Sequence, residues 1–120
     1  MATFSKIALS GSTDGKMIKV AATATAGTTI HTGSTTSTTF DEVWLYAVNS
    51  SGSTVKLTIE WGGTTSPDDL IEFTVPAEDG LYLIVGGLVI KGNATALVVR
   101  AFAATANVIN IAGYVNRITA

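Results

Sequence analysis

The chain contains no cysteine. Disulfide staples and thiolate chemistry are therefore excluded, and folding in a reducing cytoplasm is expected. Charge is nearly as scarce: 13% of residues are Asp, Glu, Lys or Arg, where about 25% is usual for a globular domain. The seven cations are scattered from Lys6 to Arg117, and the formal net charge is −2. Counterion release needs several cations on one face, so nucleic acid is not an expected partner. No apolar run is long enough to cross a bilayer as a helix, and the first fifteen residues lack the apolar core of a signal peptide. Neither a membrane anchor nor a leader is expected. There is one histidine, His31, and zinc requires several His or Cys ligands, so no zinc site is expected.

What is present is apolar and neutral. Hydrophobic residues make up 47% of a 120-residue chain, enough for one domain over residues 1–120 with a single core. With so little charge, much of the surface must be Ser, Thr, Asn, Gly and Ala. Such a surface resists association poorly, which suits a protein that sits against partners.

The clearest local pattern lies in Glu42–Gly63. Val55, Leu57, Ile59 and Trp61 alternate with Lys56, Thr58 and Glu60, the period-2 signature of a half-buried strand whose second set faces outward. Upstream, Val43–Val48 is apolar on both faces: Val43, Leu45 and Ala47 on one, Trp44, Tyr46 and Val48 on the other. A strand apolar on both sides is either sandwiched or turned toward a partner. The segment Asn49–Ser53 between them predicts a tight turn, and hence a hairpin.

Further strands are expected over Phe4–Leu9 and Met17–Ala22, joined as a hairpin through Asp14-Gly15. Others are expected at Thr28–Thr32, Leu70–Val75 (ended by Pro76), Leu81–Val85, Leu88–Ile90, Leu97–Ala104 and Val108–Ile118. The Gly86-Gly87 pair between two of these is consistent with a hairpin link, a bulge or a loop. A Thr/Ser/Gly-rich stretch over 23–39 holds the Thr28–Thr32 strand, and Gly33–Thr38 reads as a surface loop or an arm. Roughly eight short strands at a spacing of about 8–12 residues predict an all-β, antiparallel sandwich of jelly-roll or Ig-like type.

Chemistry-bearing motifs are sparse. No Ser stands in a Gly-x-Ser-x-Gly elbow, so His31 is expected to be a partly exposed strand histidine rather than a base. Asp68/Asp69 and Glu78/Asp79 lie in turns beside Pro or Gly, without the spacing of a calcium loop, and read as solvated turn carboxylates. Asn49-Ser50-Ser51 and Asn93-Ala94-Thr95 match the glycosylation acceptor pattern, though their turn positions already explain the Asn residues. No catalytic residue, metal site or cofactor is expected. Trp61 shares the register of Val55, Leu57 and Ile59 and is expected in the core. For Trp44, core or protein interface is favoured over a sugar-stacking platform.

From about Glu42 onward the chain resembles small virion proteins of tailed bacteriophages. The resemblance is carried by Val43–Asn49, Leu57–Gly63, Thr74–Ala77 and Ala101–Ile118. It implies a small β-sandwich that decorates or cements the capsid, made in the host cytoplasm and carried on the virion surface. The implied partners are the major capsid protein and further copies of the chain. A related tail or fibre module, or a carbohydrate-binding module, is the alternative. The contact elements expected on this basis are Val43–Val48 and Val108–Arg117, with Trp44, Tyr46, Val48, Val108, Asn110, Tyr114 and Arg117 as candidate interface residues.

Overall fold

Period-2 alternation dominates the chain, and the computed structural model, which describes residues 2–120, turns it into nine strands with no helix. These are β1 (Thr3–Ala8), β2 (Ile18–Lys19), β3 (Thr28–Thr32), β4 (Thr39–Asn49), β5 (Val55–Trp61), β6 (Leu70–Val75), β7 (Tyr82–Lys91), β8 (Val98–Ala103) and β9 (Ile109–Thr119). The first sheet runs β1-β9-β4-β7, with β2 also paired to β9; the second runs β3-β8-β5-β6. Every pairing is antiparallel. The fold is an antiparallel β-sandwich, as expected.

Its topology is nested. β5 pairs β6, β4 pairs β7, β3 pairs β8 and β2 pairs β9. The chain from β2 to β9 is thus one long antiparallel hairpin. Wrapping it around itself brings β9 against β4 and β8 against β5, which is jelly-roll topology. β1 is an added strand, paired with β9 over Thr3–Ala8.

Two expected hairpins are corrected by this wrapping. β4 and β5 do not pair; they lie in opposite sheets, and Asn49–Thr54 carries the chain from one to the other. Asn49 organises that crossing. Its buried amide donates to the carbonyls of Ser53 and Val75, and its Oδ1 accepts from the backbone N–H and hydroxyl of Ser51. β1 and β2 likewise do not pair with each other but line up along β9, and β2 is shortened to Ile18–Lys19. Tyr82–Lys91 form one strand, and the Gly86-Gly87 pair is a bulge. Trp44 pairs with Gly86 while Val43 pairs with Leu88, which leaves Gly87 extra at a φ of 83°. A second irregularity leaves Ile84 extra. β3 and β6 fall on Thr28–Thr32 and Leu70–Val75 as expected.

The core lies between the sheets. Val43, Leu45 and Ala47 of β4, with Ile109, Ile111 and Val115 of β9, face Leu57 and Ile59 of β5 and Val99, Ala101 and Ala103 of β8, all buried. Burying each Val, Leu or Ile side chain stabilises by about 1.5–3 kcal/mol. Trp61 packs against this core, half-buried. Lys56 points outward as expected, but Thr58 and Glu60 are buried although they lie on the outer face. Glu60 accepts hydrogen bonds from the Thr25 hydroxyl and the Gly27 N–H, so the segment before β3 lies across that part of the second sheet.

Candidate interaction face

The outer face of the first sheet is built by the residues that alternate with the core. On β4 these are Phe40, Glu42, Trp44, Tyr46 and Val48, each half-buried. β9 sets Ile118, Asn116, Tyr114, Ala112 and Asn110 directly opposite them, in that order. β1 adds Phe4 and Lys6 beside Ile118 and Asn116, and β7 adds Lys91, Val89 and Leu83 beside Phe40, Glu42 and Tyr46. Phe4 is 72% exposed.

Trp44 and Tyr114 form the centre. Their rings are nearly parallel, 10° apart in plane and 6.0 Å between centroids. The Lys6 ammonium lies 4.7 Å from the Tyr114 ring centroid, a cation–π contact. On the other flank the indole rests against the bulge. A Cβ on Gly87 would stand 3.0 Å from Trp44 Cζ2, so the missing side chain leaves the space the ring occupies. Trp44 Nε1–H donates to Glu42 Oε1 at 2.8 Å, and Asn116 Nδ2–H donates to the same oxygen at 2.9 Å. These two bonds, Trp44 first, hold the Glu42 carboxyl below its ordinary range. Glu42, Asn116, Lys6, Phe4 and Ile118 line a shallow depression beside the aromatic pair.

Five of the seven candidate interface residues meet on this face: Trp44, Tyr46, Val48, Asn110 and Tyr114. Val108 precedes β9 and packs half-buried against the core. Arg117 faces inward, and its guanidinium is taken up by Asp41. Lys6, Glu42 and Asn116 were missed as members of the face. Their placement follows from the β1-β9-β4 register, which local alternation does not encode.

At one end of the sandwich His31, Asp41 and Arg117 form a network between the sheets. Asp41 is fully buried and His31 is 1% exposed, which corrects the expectation of a partly exposed histidine. Arg117 Nε and a terminal guanidinium nitrogen donate to the two Asp41 oxygens at 2.7 and 2.8 Å. The Ser10 backbone N–H donates to His31 Nδ1 at 3.1 Å, so Nδ1 is an acceptor. In the neutral ring the proton is then on Nε2, which donates to Asp41 Oδ2 at 2.8 Å. Burial pushes the Asp41 carboxyl up, but the hydrogen bonds from Arg117 and His31, with the charge of Arg117, outweigh it and hold it below its ordinary value. Both ring nitrogens of His31 are engaged, leaving no lone pair free to take a proton from a substrate. The network ties β3, β4, β9 and the β1–β2 loop together.

The remaining motifs resolve simply. Asp68 and the Glu78/Asp79 pair are exposed, and Asp69 accepts from the Thr65 N–H within its own loop. Among the described residues, no three His, Asp or Glu side chains gather as a metal site. The Asn49 amide is buried and spent on structural hydrogen bonds, so that acceptor pattern is inaccessible in the folded chain.

No protein-family model, curated protein or solved structure matches the chain.

Proposed function

We propose that the chain is a non-enzymatic virion structural protein, a decoration or cement protein that binds and stabilises the shell of a major capsid protein. Its place is the capsid surface, where it works as a homo-oligomer. The observation that carries this reading is the contrast between the two outer faces. The second sheet presents Lys56 ion-paired with Glu72, along with Thr74, Arg100 and the half-buried Leu70 and Phe102; it is partly covered by the Thr25–Gly27 segment, and among the described residues none of its large apolar side chains is exposed. The first sheet presents Phe4, Trp44, Tyr46, Val48, Tyr114, Leu83 and Val89 without such a cover. Aromatic side chains held rigidly by neighbours are what anchor protein interfaces. The resemblance of Val43–Asn49 and Ala101–Ile118 to capsid-decorating proteins supports the choice of partner, since β4 and β9 form the middle of this face.

Purified protein added to expanded capsid shells that lack it should give stoichiometric, symmetric density by cryo-electron microscopy. Trp44→Asp should abolish that density while the isolated variant still unfolds cooperatively. Association with tails, and none with shells, would refute the reading.

The Trp44–Tyr114 pair and the adjoining depression with Glu42 and Asn116 favour a second reading, a carbohydrate-binding or tail-associated adhesion module. Sugar rings stack on such faces while carboxylate and amide groups take their hydroxyls. That reading requires a glycan-array signal lost on Trp44→Ala, and a flat array for the wild type would dismiss it.

A further inference from the structure

We infer that the partner surface meeting the β1-β9-β4-β7 face is a protein surface with an apolar centre and carboxylates around its rim. This rests on the shell-binding reading above and adds the partner's chemistry.

At the outward positions of this sheet stand three lysines, Lys6, Lys19 and Lys91, and one carboxylate, Glu42. The face is therefore +2 on a chain of net −2, so the rest of the chain carries −4. All three lysines are exposed, and among the described residues none is ion-paired. Glu42, hydrogen-bonded by the neutral donors of Trp44 and Asn116, keeps its charge and offsets only one of the three.

Their positions matter as much as their number. Lys6 lies beside Asn116 on β1, at one edge. Lys19 lies beside Asn110, at the Val48 end of the sheet. Lys91 lies beside Phe40 on β7, at the opposite end and the opposite edge. Lys19 and Lys91 thus stand at opposite corners of the Trp44–Tyr114 centre, and Lys6 lies at its β1 edge against the Tyr114 ring. A phosphate backbone or an anionic polymer is tracked by cations aligned along a groove. Cations set apart around an aromatic centre match instead the core-and-rim plan of a protein interface, in which rim charges steer association.

The test measures association with immobilised capsid shells between about 50 and about 300 mM salt, the range over which screening of exposed charges grows strongly. For the wild type the association rate should fall on the order of tenfold across that range, with a nearly constant dissociation rate. The triple variant K6Q/K19Q/K91Q should lose most of that salt dependence while keeping its unfolding midpoint. Trp44→Ala should speed dissociation and leave the salt dependence intact. Wild-type binding that is salt-insensitive, or a triple variant with the wild-type salt response, overturns the inference and leaves shell binding standing. Retention on heparin equal to that on shells, lost in the triple variant, also overturns it in favour of an anionic polymer. No binding to shells at any salt overturns both readings.

Discussion

Replacing Arg117 with Met tests whether the network at the end of the sandwich stabilises the fold. The substitution keeps an apolar stem and removes the guanidinium. Asp41 then retains the His31 Nε2–H bond and loses two charge-assisted hydrogen bonds, each worth about 1.5–3 kcal/mol. Arg117 is 32% exposed, so water relieves part of the loss. Against that, Asp41 is fully buried, and stranding one member of a buried pair costs about 3–5 kcal/mol. A net loss of about 3 kcal/mol at neutral pH is expected, a fall in Tm of roughly 12 °C for a domain of this size.

The pH dependence has a definite sign. In the wild type the Asp41 carboxyl is held below its ordinary value. Its contribution is present above the unfolded pKa, about 3.9, and is lost as pH falls through the folded value. In Arg117→Met the hydrogen bonds and charge of Arg117 are gone and only His31 still opposes burial, so the folded pKa should move up. Acidification then relieves the variant by protonating a stranded carboxylate. The stability gap between the two proteins should therefore narrow from pH 7 to pH 4. Adding Asp41→Asn removes the buried charge and should recover at least about 1 kcal/mol at pH 7. Chemical denaturation across this pH range reads all three quantities. A loss below about 1 kcal/mol, or a gap that does not change with pH, would refute the argument.

Two other positions give sharp expectations. Gly87→Ala places a Cβ 3.0 Å from the Trp44 indole at a φ of 83°, so it should cost about 1–2 kcal/mol and shift the tryptophan fluorescence, whereas Gly52→Ala, with open space around it, should do neither. Asn49→Ala removes an amide that serves four hydrogen bonds at the inter-sheet crossing. The Ser53 and Val75 carbonyls each lose this donor, and a loss of about 2–3 kcal/mol is expected in urea unfolding.

The sequence carried the strands more fully than their partners. Alternation places Val55, Leu57 and Ile59 inward and sets Trp44, Tyr46 and Val48 on the face opposite Val43, Leu45 and Ala47, because a strand's period of two sorts residues by face whatever lies alongside. It does not identify the neighbouring strand. The Asn49–Ser53 turn chemistry was legible, yet the same Asn and Ser hydrogen bonds serve a passage between sheets as well as a hairpin. The environments of Glu60 and His31 were hidden for a related reason. Glu60 is covered by Thr25 and Gly27, more than thirty residues earlier, and Arg117 reaches Asp41 across a sequence separation of 76. The candidate face was half-legible: its β4 side follows from apolarity on both sides of Val43–Val48, while Lys6, Lys19, Lys91 and Asn116 join it only through long-range register.

The nested pairing also constrains the order in which the chain can close. β5–β6 joins over a short loop, whereas β2–β9 joins segments at nearly opposite ends of the sequence. The entropy cost of closure grows with loop length, and each inner pair, once made, shortens the loop left for the next. Folding is thus directed from the middle outward, at the slow rates of chains dominated by non-local pairing. β1 and β2 then join last and open first. Amide exchange should run fastest in β1 and slowest across β5 and β8, so on a growing chain β9 must emerge before the N-terminal strands have anything to hold.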